Sequence, residues 1–205
     1  MKYIFVAGAP GSKWSSVVKN IYFSSDIDQS DYSDARTYYH DASGQMELMH
    51  LGAYFDPGME SDLPENINDY TKEELEKIFD KEFAGNGVRI VKSHIFTNHI
   101  DFIKATWPDC PVVLVHRPDD ACLGWWVKCG HFDITYPSYQ QYYVNLKHMA
   151  KIIKEQNAGI IKATYKYPSK GPLTNQMLAK MLGIKLPPSE YYQDYGQSDV
   201  RVTVI

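Results

Sequence analysis

The first eighteen residues constrain the fold more than any other stretch. Tyr3-Ile4-Phe5-Val6-Ala7-Gly8 is an apolar, β-type run. It enters a turn of small residues, Ala9-Pro10-Gly11-Ser12-Lys13, and then a helical pattern carrying Val17, Val18 and Ile21. A buried strand, a tight turn and a helix in that order form the plan of a phosphate-binding loop. In such a loop successive backbone N–H groups and the positive end of the helix dipole converge on one anion. Gly8 and Gly11 let the backbone approach closely. Lys13 offers a point charge, and Ser12, Ser15 and Ser16 offer hydroxyl donors. The spacing is not that of G-x-x-x-x-G-K-[ST], because that pattern counted from Gly8 requires Gly at the position of Lys13. The plainer alternative is a Gly/Pro turn that joins strand to helix and binds nothing.

The rest of the chain alternates strand and helix patterns. Val88–Val91 and Pro111–Val115 are short buried strands, and Gly159–Thr164 is read as a further strand. Helices are expected over Thr71–Phe83, Thr97–Thr106, Asp119–Lys128, Pro137–Gln156 and Thr174–Leu182. The first of these opens with Thr71-Lys72-Glu73-Glu74, a capping box, and the last ends at Gly183. Thr37–His40 and Gln45–Leu51 flank Asp41-Ala42-Ser43-Gly44 as a hairpin. Ser24–Asp34 is a polar loop. Gly52–Asn68 is irregular and fits either a substrate-side lid or a solvated connection. The segment from Pro187 shows no period and is expected to drape over the surface. This alternation predicts one α/β domain over residues 1–205, with a parallel sheet covered by helices on both faces. Ligands of such sheets bind beyond the C-terminal ends of the strands. Three strands end there in polar groups: the Gly8–Ser16 loop, Lys92-Ser93-His94 and His116-Arg117.

Composition narrows the function. The net charge of −4 argues against nucleic acid as a general partner, so an anion site must be a local positive spot. No apolar run approaches the ~18 residues of a membrane span. The start of the chain is read as a first strand, not a signal peptide. Cys110, Cys122 and Cys129 are odd in number and lack Cys-x-x-Cys spacing. That fits a reducing, cytoplasmic setting and argues against a zinc site. A magnesium-dependent NTPase needs an acid at the end of a second apolar strand. Neither Val88–Val91 nor Pro111–Val115 ends in one, and Asp119 and Asp120 beyond Arg117 suit helix capping. The site is therefore read as one that holds anions with protein cations and without a metal.

Three segments together resemble the cytosolic sulfotransferases. Gly8-Ala9-Pro10-Gly11-Ser12-Lys13-Trp14-Ser15 is similar to that family's G-x-P-[KR]-S-G-T-T loop. Val91-Lys92-Ser93-His94-Ile95 is similar to its K-T-H-L segment. Val113-Leu114-Val115-His116-Arg117-Pro118-Asp119 resembles its V-x-R-N-P-x-D stretch. The three follow in the family's order, and with the late Ala179-Lys180-Met181-Leu182-Gly183 the resemblance spans about residues 3–185. Several positions depart from the pattern. The family's loop Lys or Arg falls on Gly11 and its Gly on Lys13. The Asn between Arg and Pro is missing. The 3′-phosphate Ser falls on Gly124 or Trp125, and the adenine-stacking Trp falls on Ser16 while Trp14 lies two places earlier. The C-terminal R-K-G motif is absent.

The resemblance implies a three-layer, P-loop-like α/β fold. It implies transfer of a sulfuryl group from PAPS (3′-phosphoadenosine 5′-phosphosulfate), leaving PAP, to a hydroxyl or amine of a small-molecule, carbohydrate or lipid acceptor. Gly11, Ser12, Lys13, Trp14, Ser15 and Ser16 would hold the 5′-phosphate and the sulfuryl group, and Arg117 the 3′-phosphate. His94 would be the base, with Lys13 assisting catalysis. Lys92 and Tyr54 would meet the acceptor, and Lys92 alternatively the leaving phosphate or solvent. No metal is expected. Residue by residue, plainer roles stand beside these: His94 as a structural histidine, Arg117 as a cap or surface cation, Trp125 and Trp126 as core, Tyr139–Tyr143 as partly core, and His99, His116 and His131 as structural. A P-loop kinase-like phosphotransferase and a non-catalytic PAP or nucleotide-binding module are the alternative functions.

Overall fold

The computed structural model describes residues 1–31, 51–56, 63, 65–128, 143–191 and 199–205, and the backbone of 37–40 and 45–48. Its centre is a five-stranded sheet. β1 (Tyr3–Gly8) lies between β5 (Arg89–Lys92) and β6 (Val112–His116), parallel to both. β4 (Ala53–Tyr54) adds in parallel outside β5, and β7 (Arg201–Val204) adds antiparallel outside β6. β2 (Thr37–His40) and β3 (Gln45–Leu48) pair antiparallel as a separate ribbon with Tyr38 opposite Glu47. Their proposed turn, 41–44, lies outside the described residues.

The side-chain period of two in β1 divides the core. Ile4 and Val6 point to one face, where they meet Val17, Val18 and Ile21 of α1 (Trp14–Tyr22) and Leu178, Ala179 and Leu182 of α6 (Asn175–Leu182). Tyr3, Phe5 and Ala7 point to the other face. There they pack with Leu75 and Phe79 of α2 (Lys72–Asp80), Ile100 and Ile103 of α3 (Ile100–Thr106), and Ile160 and Ala163 of α5 (Leu146–Lys166). A third cluster joins Ala9 of the first loop to Cys122 and Trp126 of α4 (Asp119–Lys128) and to Met149 and Ile153 of α5. Burying each such large apolar side chain is worth about 1.5–3 kcal/mol, so β1, buried along its whole length, anchors both layers. The Thr71 capping box forms as expected: Thr71 Oγ1 accepts from Glu74 N, and Glu74 Oε2 accepts from Thr71 N at 2.9 Å. No helix among the described residues is long and apolar enough to cross a membrane.

Four expectations are corrected. Residues 159–164 are not a strand but the continuation of α5, which begins at Leu146 and runs to Lys166. Met149, Ile153, Gln156, Ile160 and Ala163 share its buried face at helical spacing, while Ile161 is exposed. Gly159 is no helix breaker there, because it lets the helix approach the Thr97 carbonyl. The segment Gly52–Asn68 contains strand β4, so it is not wholly irregular. The tail returns to the sheet as β7, with Val202 and Val204 buried in the α1/α6 face. The helix expected from Thr97 begins as a tight 3-10 turn, His94–Asn98, and becomes α-helical only at Ile100. Residues 137–142, placed at the start of a helix by the sequence pattern, lie outside the described residues.

Gly159 yields a test in which two effects oppose each other. In an open helix Gly→Ala is favourable by about 1 kcal/mol. Here an added Cβ would lie 2.5 Å from Thr97 O, a backbone atom. Overpacking of this kind costs about 1–3 kcal/mol, so Gly159→Ala is expected to lower the urea midpoint. A raised midpoint would show that α5 stands further from the 3-10 turn.

Candidate functional site

The loop after β1 is closed by a β-turn. Ser12 N donates to Ala9 O at 3.0 Å, with Pro10 at the second position and Gly11, at φ 77°, at the third. That is the type II arrangement, in which the third position favours glycine. A Cβ on Gly11 would also collide with the Cys122 carbonyl. Lys13 then takes φ 64° and ψ 25° as the N-cap of α1, a left-handed conformation that costs an L-residue roughly 1–2 kcal/mol. Ser16 N donates to Lys13 O at 3.0 Å. The loop amides therefore do not all face one anion. Those of Ser12 and Ser16 are spent inside the turns, and those of Gly11, Trp14 and Ser15 take no part in them. Ser12 Oγ folds back over Gly8, fully buried and with no hydrogen-bond partner. Ser15 is buried and Ser16 half-buried.

Two neighbouring strands send side chains onto this loop. At the end of β5, His94 Nδ1 bonds to the Gly8 carbonyl. A carbonyl only accepts, so Nδ1 carries the proton and Nε2 holds the free lone pair. The imidazole stacks on the Trp14 indole, with centroids 3.9 Å apart and planes 14° from parallel. At the end of β6, Arg117 Nη1 donates to the Gly11 carbonyl at 3.1 Å. Its own carbonyl is held by Asn157 Nδ2 of α5 at 2.8 Å. Arg117 is thus neither a helix cap nor a plain surface cation. Asp119 and Asp120 stand inside the first turn of α4, not at its cap. Asp119 Oδ1 accepts from Asn157 at 2.6 Å, which ties α4 to α5.

The loop divides the expected site residues into two groups. On the β6 side, Lys13 Nζ lies 4.5 Å from the centre of the Trp125 ring, Lys128 Nζ 5.7 Å and the Arg117 guanidinium carbon 6.0 Å. These three cations form a local positive spot in a chain of net charge −4. Trp126 is core, but Trp125 is only half-buried and serves as the platform of these cations. On the β5 side, His94, Lys92, Tyr54 and Trp14 are all buried. Lys92 is fully enclosed, its Nζ donating to Leu51 O at 2.6 Å and lying 5.8 Å from the Trp14 ring centre, so its solvent-facing alternative is excluded. Lys13 and His94, paired as catalytic groups by the resemblance, point to opposite groups.

Asp56 is the residue that sequence reasoning missed. It follows β4 and is fully buried. Its Oδ1 accepts from Ser93 Oγ at 2.6 Å and from His94 N at 2.7 Å, and its Oδ2 accepts from Tyr54 Oη at 2.8 Å. Oδ2 also stands 3.6 Å from His94 Nε2. β5 and β6 end in Lys92 and His116, whereas β4 runs through Phe55 into an acid. The signal was Tyr54-Phe55-Asp56, an apolar pair running into an acid before Pro57.

Burial holds the His94 imidazole below its ordinary pKa, and the Lys92 charge acts the same way; Asp56 and the Gly8 carbonyl oppose them. His116 is also lowered, by burial and by Arg201. His99 is structural, facing Asn68 Oδ1 at 3.2 Å and the Glu65 carbonyl at 2.8 Å. Tyr143 is buried against Trp126. His131 and Tyr139–Tyr142 lie outside the described residues. Among the described residues no three His, Cys, Asp or Glu side chains group as a metal site. Comparison with family models, with curated proteins and with solved structures finds no match to this chain.

The lowered imidazole has a thermodynamic consequence. The folded protein resists a proton that the unfolded chain, at about pKa 6.5, accepts. Stability from this group is complete above that value and declines as pH falls through it. Unfolding free energy measured from about pH 7.5 down to about pH 5.5 is expected to fall less steeply in His94→Gln than in wild type, with the His116 contribution common to both. Equal slopes would place His94 in an open, water-like setting.

Proposed function

We propose that the chain is a sulfotransferase of P-loop-like fold that moves a sulfuryl group from PAPS to a hydroxyl or amine without a metal. One observation carries this reading. The three segments of the resemblance, far apart in sequence, meet on one loop, with His94 bonded to the Gly8 carbonyl and Arg117 to the Gly11 carbonyl. The positive φ of Lys13, at the position where the resembled loop has glycine, supports the same alignment.

The roles follow from position. Lys13, Arg117 and Lys128 surround the half-buried Trp125 and supply the charge for a polyanionic nucleotide. Arg117, with its planar fork, takes the 3′-phosphate. The amides of Gly11, Trp14 and Ser15 face the 5′-phosphosulfate, and the Ser12 hydroxyl, folded back over Gly8, joins them only by turning outward. His94, neutral and with Nε2 unprotonated, accepts the proton of the acceptor group. Sulfuryl transfer has a loose transition state like phosphoryl transfer, so positioning and charge dominate over covalent chemistry. His94 and Tyr54 are enclosed beside Trp14, so acceptor entry on this reading requires Trp14 to shift off the imidazole. The acceptor is a small molecule, carbohydrate or lipid alcohol rather than a nucleic acid, and the setting is cytoplasmic.

Nucleotide binding in EDTA tests the ligand class. PAP is expected to raise the melting temperature without magnesium. A rise with Mg-ATP and none with PAP would overturn the reading in favour of a phosphotransferase. PAP binding without transfer from PAPS to any of a panel of phenols, sugars and lipid alcohols would leave a binding module.

Arg117→Ala is expected to weaken PAP by about 1.5–3 kcal/mol, or roughly 10- to 150-fold, by isothermal titration. Adenosine 5′-phosphosulfate lacks the 3′-phosphate and controls for the lost bond to Gly11. Equal weakening of both ligands would remove Arg117 from the 3′-phosphate.

A further inference from the structure

The contacts of Asp56 exceed what a turn cap requires. Oδ1 alone satisfies the Ser93 hydroxyl and the His94 amide, and Ser93 Oγ in turn accepts from Ile95 N at 3.2 Å. That half of the carboxylate starts the 3-10 turn that follows β5. The other oxygen lies 3.6 Å from His94 Nε2, beyond hydrogen-bond range, and is steadied by Tyr54 Oη. The ring itself has little freedom. Gly8 O holds Nδ1, Trp14 covers one face, and Tyr54 meets the ring edge-to-face with centroids 5.8 Å apart.

A buried imidazole that takes a proton becomes a buried cation, which is costly unless a countercharge stands ready. Among the described residues, the charged and titratable groups around it are Asp56 and Tyr54 from the segment after Gly52, and Lys92 from β5. Lys92 opposes the new charge, so among the described residues it is Asp56 that balances it. A base whose orientation is set by a third group is the usual logic of such constellations.

We propose that Asp56 is the positioning residue of His94, seating the turn that presents the imidazole and balancing the charge it acquires when it accepts a proton at Nε2. The inference rests on His94 acting as the base of the reaction proposed above. In that step the acceptor O–H (or N–H) bond breaks and an Nε2–H bond forms. The electron pair left on the acceptor atom forms the new bond to sulfur. The bond from sulfur to the 5′-phosphate oxygen breaks, and its pair leaves on PAP. A small shift then brings Nε2–H into a charge-assisted bond with Asp56 Oδ2.

The test is a pH titration of the full chain, uniformly labelled with ¹⁵N-histidine, with the His94 signal assigned by its loss in His94→Gln. Wild type is expected to show the Nδ1–H tautomer. Asp56→Asn keeps one oxygen, the acceptor for both Ser93 and the His94 amide, but removes the charge and replaces Oδ2 with an amide donor, and is expected to lower the His94 pKa by about one unit or more. Tyr54→Phe releases Oδ2 from its donor and is expected to move that pKa the opposite way, which keeps the proposal testable if Asp56→Asn does not fold. A His94 pKa unmoved in the folded variants overturns it; if Asp56→Asn does not fold, an unmoved pKa in Tyr54→Phe alone overturns it. These readings do not depend on turnover. Coupled titrations without transfer from PAPS would therefore defeat the sulfotransferase reading and leave the Asp56–His94 coupling in place. With transfer, the acid limb of the kcat profile is expected to move with the His94 pKa while the KM for PAPS stays near wild type.

Discussion

Two carbonyl oxygens brace this structure where the loop after β1 meets its two neighbouring strands. A tight turn between a buried strand and a helix points peptide oxygens away from any ladder, and a buried oxygen without a donor costs about 1–3 kcal/mol. Gly8 O and Gly11 O solve this by taking donors from the strands on either side, His94 from β5 and Arg117 from β6. The turn cannot move toward α4, because Gly11 rests against the Cys122 carbonyl. The bonds that satisfy the turn are thus the bonds that aim the two side chains with the most chemistry. A fold need not position functional groups separately when its own unsatisfied peptide groups recruit them.

Much of this was legible from local pattern. The strand–turn–helix opening, the two apolar strands beside it and the capping box at Thr71 each rest on interactions within a few residues. What was missed depends on distant partners. Residues 159–164 contain two isoleucines and a threonine behind a glycine, which alone suggests a strand. The approach of Gly159 to the Thr97 carbonyl makes the glycine a packing residue of a long helix instead. β4 is two residues long, too short for any period to declare it, and Asp56 went with it. β7 does carry alternation, with Val202 and Val204 buried, but it follows an aperiodic stretch and its partners, β6 and the Lys170–Leu173 segment, lie far away in sequence.

Lys13 illustrates how shape and charge separate. From the sequence it is expected to be the loop's cation, facing an anion. In the structure its backbone bends as glycine would, and its ammonium lies over Trp125 beside Arg117 and Lys128. The loop keeps its curvature while the charge moves to the rim. Trp14, the next residue, turns the other way and covers His94. Two successive residues therefore serve opposite sides of the loop. This is possible because one is an αL cap and the other the first residue of the helix.

The order in which the sheet is completed has a consequence for synthesis of the chain. β6 is almost wholly apolar and inherits one neighbour, β1, as soon as it forms. Its other neighbour is β7, which a ribosome adds only after α4, α5 and α6. During that interval Val112–His116 presents a bare row of peptide donors and acceptors along an apolar strand, the kind of edge on which nascent chains pair with one another. The closing strand, short as it is, acts as a guard against that pairing as much as a member of the core.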